Sequence, residues 1–341
     1  MNDGASCFPE VVLVGNARQR GQSHGEQLRE SIHEVLDYYR TLFCLGDAAL
    51  REEAAEYARI IRAFSAEYAD EIEAIAAAAN LHPSYIYALN SRSEILNNTG
   101  VAECTAVMNT GTAVLAQNWD WSEALEQLVV LVRLQRPDNH TICMLTEPGI
   151  IGKIGMNRRG LGVCLNILKT TEHLRGLPVH VLLRAILDCT SMDEVRSLVN
   201  LMSVGKASHV LVGDAGGACH SVEFSGTESF QLQPEADLLV HTNHYLSESA
   251  TNTAEAFPST RERLQQARAM LAADASPAGL LAMLRDQSQG ELSICRPYSL
   301  SEVDGFGRVG SVFTVIMDLA EREMQVYRGP AEAARSYRVV L

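Results

Sequence analysis

Near residue 103 the chain changes texture, and that change narrows the folds open to it. Ahead of it, apolar residues recur at helical spacing: Leu28, Ile32, Val35, Leu36, Tyr39 and Leu42 within 23–43, then Tyr57, Ile60, Ile61, Phe64, Tyr68, Ile72 and Ile75 within 49–79. Such spacing gathers apolar side chains on one face of a helix. Asn80 suits the C-terminal cap of the second helix, and Pro83 opens a third that runs to about Leu96. Only a short strand at 11–15 precedes them. From Glu103 onward short β-type runs take over, at 104–109, 112–118, 128–135, 141–146, 152–157 and 161–166. The turns Asn109-Thr-Gly111 and Asn157-Arg-Arg-Gly160 punctuate them.

Helices return at 178–190 and 191–202, the second opened by Ser191 with Asp193 and Glu194 in its first turn. Strands follow at 208–213, 218–224, 229–232 and 237–240, helices at 258–273 and 277–286, and strands at 311–318, 323–328 and 336–340. Hairpins bracketed by pairs of helices predict an α+β fold: a four-layer αββα sandwich of two mainly antiparallel sheets with helices outside. No internal repeat or low-complexity linker divides the chain. It reads as one domain, 1–341, with a helical leader over 1–103.

The charge balance excludes some partners. A net charge of -14 and a pI near 5.2 argue against a nucleic-acid binder. The longest apolar runs, 74–79 and 127–134, fall short of the roughly 20 residues that span a bilayer. Met1 to Glu10 lacks the basic start and apolar stretch of a secretory signal, so the expected location is cytoplasmic, with no membrane partner. Eight cysteines without CxxC pairs fit free thiols in a reducing compartment.

Cys104 heads the hairpin that ends at Asp120. If the bond between Glu103 and Cys104 is cut, the thiol and a freed α-amine share one residue, and that amine, with an ordinary pKa of about 8, is a ready base. Paired strands would return Asp120 to the start of the first strand, where its carboxylate can orient the amine. Trp119 and Trp121 alternate with it and belong to the core. His241-Thr-Asn243-His244 offers an amide donor for an oxyanion. Ser293-Ile-Cys-Arg296-Pro-Tyr298 places a guanidinium where it can hold a carboxylate or polarise a carbonyl. Thr105, Arg296 and Tyr298 are the substrate-binding candidates.

Taken in order, Leu89-Asn-Ser-Arg-Ser-Glu94, Cys104-Thr105, Gln117-Asn-Trp-Asp120, Thr146-Glu-Pro-Gly-Ile-Ile-Gly-Lys-Ile-Gly155, His241-Thr-Asn-His244 and Ser293-Ile-Cys-Arg296 resemble the isopenicillin N acyltransferase and carcinine hydrolase family. Its members are self-processing cysteine N-terminal-nucleophile enzymes, also known from acyl-coenzyme A:6-aminopenicillanic acid acyltransferase. The resemblance implies cleavage just before Cys104 and a heterodimer of 1–103 and 104–341. It implies Cys104 as nucleophile, with Asp120, Asn243 and Arg296 as supporting polar groups and Asn243 as the leading oxyanion donor. The substrate would be a small N-acyl amine or acyl thioester. No cofactor is called for, although acyl-coenzyme A fits as a substrate. One position departs from the pattern: Glu103 stands where better-known members have glycine. A glycine there eases crowding at a strained bond, whereas a glutamate either slows processing or helps to move protons.

Other readings stay open beside this one. A histidine base, His241 or His244, would make an uncleaved thiol hydrolase, although papain-type cysteines start helices and not strands. A non-catalytic relative would bind small acyl compounds. Gly149-Ile-Ile-Gly-Lys153 lacks the spacing of a phosphate loop and leads toward a strand. Gly213-Asp-Ala-Gly-Gly217 reads as a turn between strands. The two histidines have no carboxylate or cysteine cluster at ligand spacing, so no metal is expected.

Overall fold

The hairpin headed by Cys104 lies at the middle of the second of two stacked sheets. A computed structural model describes residues 7–96, 103–226, 228–254, 259–331 and 336–341. The leader holds β1 (Glu10–Val14) and helices α1 (Ala17–Gln27), α2 (Arg29–Phe43), α3 (Asp47–Phe64), α4 (Ala66–Ala78), α5 (Pro83–Asn90) and α6 (Arg92–Ile95).

Each helix expected in the leader is in fact two, for local reasons. Ser65 leaves the helical region (φ -152°, ψ 113°), and its side chain caps α4 by accepting from the Tyr68 N–H. Leu28 separates α1 from α2, and α1 starts at a capping box in which Asn16 and Gln19 exchange hydrogen bonds of 3.0 Å. Apolar periodicity missed the early turns of α1 because its buried side carries Gly21 and Gly25. A Cβ on either glycine would stand 2.3 and 2.5 Å from the carbonyls of Glu71 and Ile75, so the pair lets α1 lie directly on α4. Asn80 takes the left-handed conformation that suits a helix end, φ 57°.

The first sheet has the order β1, β4 (Val130–Gln135), β5 (Thr141–Thr146), β6 (Ile154–Asn157), β7 (Gly162–Ile167), β8 (Ser208–Gly213), β9 (Cys219–Ser225), β10 (Glu228–Leu232). Its pairs are antiparallel except β1 with β4. The second has the order β11 (Leu238–His241), β2 (Glu103–Asn109), β3 (Val114–Ser122), β13 (Arg308–Asp318), β14 (Glu323–Arg328), β15 (Ser336–Val340), with β12 (Ser299–Leu300) added to β13. Helices α7 (Val179–Asp188) and α8 (Met192–Val199) follow β7, and α9 (Thr260–Ala273) and α10 (Pro277–Leu284) follow β11. The expected start of α9 at 258 lies outside the described residues.

Strand alternation sorts the side chains into layers. Cys104, Ala106, Met108, Leu115, Trp119 and Trp121 join the core shared with the first sheet and the leader. Val107, Val114 and Ala116 pack instead with Leu264, Ala267, Leu271, Leu280 and Met283 of α9 and α10. Each large apolar side chain so buried contributes about 1.5–3 kcal/mol. The sheets are also stitched by polar contacts: the Leu165 N–H donates to Gln117 Oε1 at 2.9 Å. The result is the expected four-layer α+β sandwich. In the β2–β3 turn the left-handed residue is Ala113 (φ 54°), not Gly111. Among the described residues no helix is long and apolar enough to cross a membrane.

Candidate active site

The β2–β3 register pairs Glu103 with Asp120 and Cys104 with Trp119. The Cys104 thiol therefore faces the first sheet beside Trp119, while Glu103, Thr105 and Asp120 turn toward α9. Asp120 returns to the head of the first strand as expected, and its carboxyl stands beside Glu103. Trp119 and Trp121 stack on the other face with centroids 6.2 Å apart, and Lys153 Nζ lies 3.1 Å above the Trp119 ring.

One side chain that sequence reasoning passed over ties the outer face together. Arg263 shares the buried side of α9 with Leu264, Ala267 and Leu271. Its Nη1 donates to the Cys104 carbonyl at 2.8 Å and to Thr105 Oγ1 at 2.9 Å. Its Nη2 donates to Asn243 Oδ1 at 2.9 Å and Glu103 Oε2 at 3.1 Å, and its Nε to Ser259 Oγ at 2.9 Å. An arginine in phase with the apolar residues of an amphipathic helix was the available signal, because a charge there needs partners.

Asn243, just beyond β11, accepts the Cys104 N–H on its Oδ1 at 2.7 Å. Its Nδ2 donates to the Ile167 carbonyl at 3.0 Å, so in the intact chain the amide donor faces that carbonyl. Asn166, also absent from the sequence reading, donates to the Cys104 carbonyl at 3.1 Å, and its Oδ1 lies 2.9 Å from His209 Nδ1. The backbone of Cys104 is thus held at its nitrogen and its oxygen.

Arg296 reaches the site from the loop before β12. Its Nη1 pairs with Glu103 Oε1 at 2.7 Å, and its backbone N–H donates to Ser311 Oγ at 2.9 Å. Ser311 in turn donates to Asp120 Oδ1 at 2.6 Å. The β3–β13 register shifts between Ser311 and Phe313, a bulge of the kind that re-aims side chains beside functional sites. Gly310 lets the loop approach: a Cβ there would meet the Arg296 carbonyl and the Tyr298 ring at 2.8 Å. Tyr298 itself points away, its hydroxyl donating to Glu126 at 2.6 Å, and Thr105 is buried against Arg263.

Burial sets the protonation states. The Cys104 thiol is pushed up to about 12, first by burial and then by the nearby Asp120 charge, so it is protonated at neutral pH. Asp120 is pushed up to about 7, chiefly by burial, with Arg263 opposing, and its Oδ2 is buried without a hydrogen-bond partner. Lys153, behind Trp119, is lowered to about 7 by burial against the pull of Glu147.

The histidines are committed elsewhere. His241 Nε2 lies 2.8 Å from Glu223 and its ring stacks on His209 at 3.6 Å, while His244 Nδ1 lies 2.9 Å from Thr260 Oγ1. No described group of three or more His, Cys, Asp or Glu is arranged to hold a metal. Among the described residues no two cysteines form a disulfide. The segment from Thr146 to Gly155 is a structural joint: Asn90 donates to the Gly149 carbonyl at 2.8 Å and accepts the Ile151 N–H at 2.9 Å, and Arg92 pairs with Glu147 at 3.0 Å.

Two stacked, mainly antiparallel sheets flanked by helices form the N-terminal-nucleophile hydrolase fold. A mutant of conjugated bile acid hydrolase from Clostridium perfringens shares it with a TM-score of 0.50 at 11% identity, over 69% of this chain and 92% of that one. The Caenorhabditis elegans N-acylethanolamine-hydrolyzing acid amidase ortholog aligns with a TM-score of 0.45 at 14% identity, over 64% of this chain and 93% of that one. Within that fold, the chain belongs to the acyl-coenzyme A:6-aminopenicillanic acid acyl-transferase family, whose model matches residues 107–332. The 40 kDa form of acyl-coenzyme A:6-aminopenicillanic-acid-acyltransferase from Emericella nidulans is 28% identical over 337 residues, 94% of this chain and 92% of that protein.

Proposed function

We propose that this chain is a thiol amidohydrolase or acyltransferase that first cuts itself between Glu103 and Cys104. The observation that carries the reading is the hydrogen bond from the Cys104 nitrogen to Asn243 Oδ1, at 2.7 Å. Cleavage would turn that nitrogen into an α-amine, already held by an acceptor and positioned as a base on the same residue as the thiol. Burial holds the Cys104 thiol protonated in the intact chain, so its attack on the Glu103 carbonyl needs a proton acceptor other than the amine that cleavage later frees.

In turnover the sulfur attacks the carbonyl carbon of a small N-acyl compound. The C–S bond forms, the C–N bond breaks, and the thiol proton passes through the α-amine to the departing nitrogen. Water or an amine then attacks the thioester, the C–S bond breaks, and the proton returns to sulfur. Asn243 is the oxyanion donor in this scheme, its Nδ2 leaving the Ile167 carbonyl for the developing charge. Asp120, near pKa 7, is poised to take up or release a proton beside the cleaved bond. The leader of 1–103 stays attached through Asn90 and Arg92 as the smaller subunit. Acyl-coenzyme A, after which the Emericella relative is named, is a fitting acyl donor.

The histidine-based and non-catalytic alternatives find no comparable contact, since His241 and His244 are engaged with Glu223 and Thr260. The test is trapping. Wild-type protein mixed with N-acyl amides and quenched in acid should carry an acyl mass adduct on the peptide that begins at Cys104. Turnover without such an adduct, or an adduct that survives in Cys104→Ala, rejects the reading.

A further inference from the structure

Glu103 departs from the glycine of the resembled family, and its side chain is held as a ligand is held. Arg296 Nη1 meets Oε1 at 2.7 Å, Arg263 Nη2 meets Oε2 at 3.1 Å, and the Ser259 hydroxyl donates to the same oxygen. The group is buried, and the Nε of Arg296 is buried with no partner of its own. Taking Glu103 away would leave two guanidiniums short of an anion in a low-dielectric site, which is unfavourable. A planar carboxylate is the anion that a guanidinium fork accepts best.

Glu103 is also the acyl half of the bond that self-cleavage breaks. Cys104 Sγ bonds to the Glu103 carbonyl carbon, the C–N bond breaks, and the freed amine takes the thiol proton. Water then adds to the thioester carbon, releasing Glu103 as an acid and returning a proton to sulfur. The first acyl group on the thiol is therefore a glutamyl group, with its side-chain carboxylate between Arg263 and Arg296. We infer, on the basis of the thioester function proposed above, that this arginine clamp selects glutaryl-type acyl groups in turnover: chains that end in a carboxylate at the reach of a glutamate side chain. Glu103 is the built-in stand-in for that carboxylate, and a substrate carboxylate takes its place once cleavage has freed Glu103 from Cys104.

The site can be read apart from catalysis. Full-length Glu103→Gly in a Cys104→Ala background lacks a side chain whose outline propionate matches. Propionate should raise its melting temperature by roughly 2 °C more than propionamide does, and Arg296→Gln should remove the difference. If the glycine variant fails to fold, Glu103→Ala with acetate against acetamide makes the same comparison. Equal responses to the acid and its amide overturn the clamp.

In turnover, processed wild-type protein should favour a glutaryl over a valeryl p-nitroanilide by on the order of 100-fold, and Arg296→Gln should collapse that ratio. Equal rates, with a thioester on Cys104 from both, reject the selectivity while leaving the thiol mechanism intact. Propionate rescue with no thioester from either compound rejects the mechanism and the turnover role, and leaves a carboxylate site.

Discussion

Around Glu71, Arg20 of α1 and Arg184 of α7 close a buried cluster in which both carboxylate oxygens have partners, at 2.6 to 3.2 Å. Burial pushes that carboxyl up, but Arg184 and Arg20 outweigh it and hold the group below its ordinary range. Around Glu103, Arg263 and Arg296 build a cluster of the same composition, yet its neighbour Asp120 is left with a free oxygen and a pKa near 7, and Arg296 keeps a free N–H. The first cluster fastens helices of the leader to the sandwich. The second surrounds a thiol and a peptide bond. Buried arginine–carboxylate pairs occur in both, and Asp188 beside Arg184 also has an oxygen without a hydrogen bond, so what marks the second is a titration held at neutrality: Asp188 is lowered where Asp120 is raised.

Removing an arginine from each cluster is the strongest way to break this contrast. Arg184→Ala and Arg263→Ala should each cost about 3–5 kcal/mol in denaturant unfolding, because each leaves a buried carboxylate underpaired. Self-cleavage should persist in folded Arg184→Ala and stop in folded Arg263→Ala, as read by intact mass. Loss of cleavage in both would mean that the clusters do not differ in kind.

A smaller effect is expected at Asn243. Its replacement by alanine should lower turnover by about 100-fold in steady-state kinetics, and an unchanged rate would take Asn243 out of the mechanism.

The gentlest probe is pH. The Asp120 carboxyl sits near 7 in the folded chain against an ordinary 3.8. Between those values the folded state binds a proton that the unfolded state does not. The stabilisation is complete at pH values below 3.8 and is lost as pH rises through 7. Asp120→Asn should flatten part of this fall in unfolding free energy across that window. Glu94, pushed up to about 7 by burial, adds a slope of the same sign that the variant keeps. A variant slope equal to wild type would show that Asp120 is not held near neutrality.

How far the sequence foretold this site depends on the kind of residue. Cys104 and Asp120 were legible because period-two alternation and a short turn fix which residues meet across a hairpin, and β2 and β3 pair as that logic requires. Asn243 and Arg296 were legible as an amide and a guanidinium in loops, but only the resemblance joined them to Cys104, since nothing local says that a loop residue will reach a strand far away in the chain. Arg263 was hidden among Arg261, Glu262 and Arg268 of α9, where charged composition resembles a solvated face until burial is known. The joined turns of the leader escaped for a related reason. Gly21 and Gly25 make the α1–α4 contact by what they lack, and no hydrophobic pattern records an absent side chain.

The account stands or falls on the bond between Glu103 and Cys104, and intact-mass measurement of the purified protein after incubation tests it most directly. Two fragments whose masses sum to the precursor plus one water, with the larger beginning at Cys104, and a single undivided chain for Cys104→Ala, are the predicted result. An undivided wild-type chain that still turns over N-acyl substrates would contradict it.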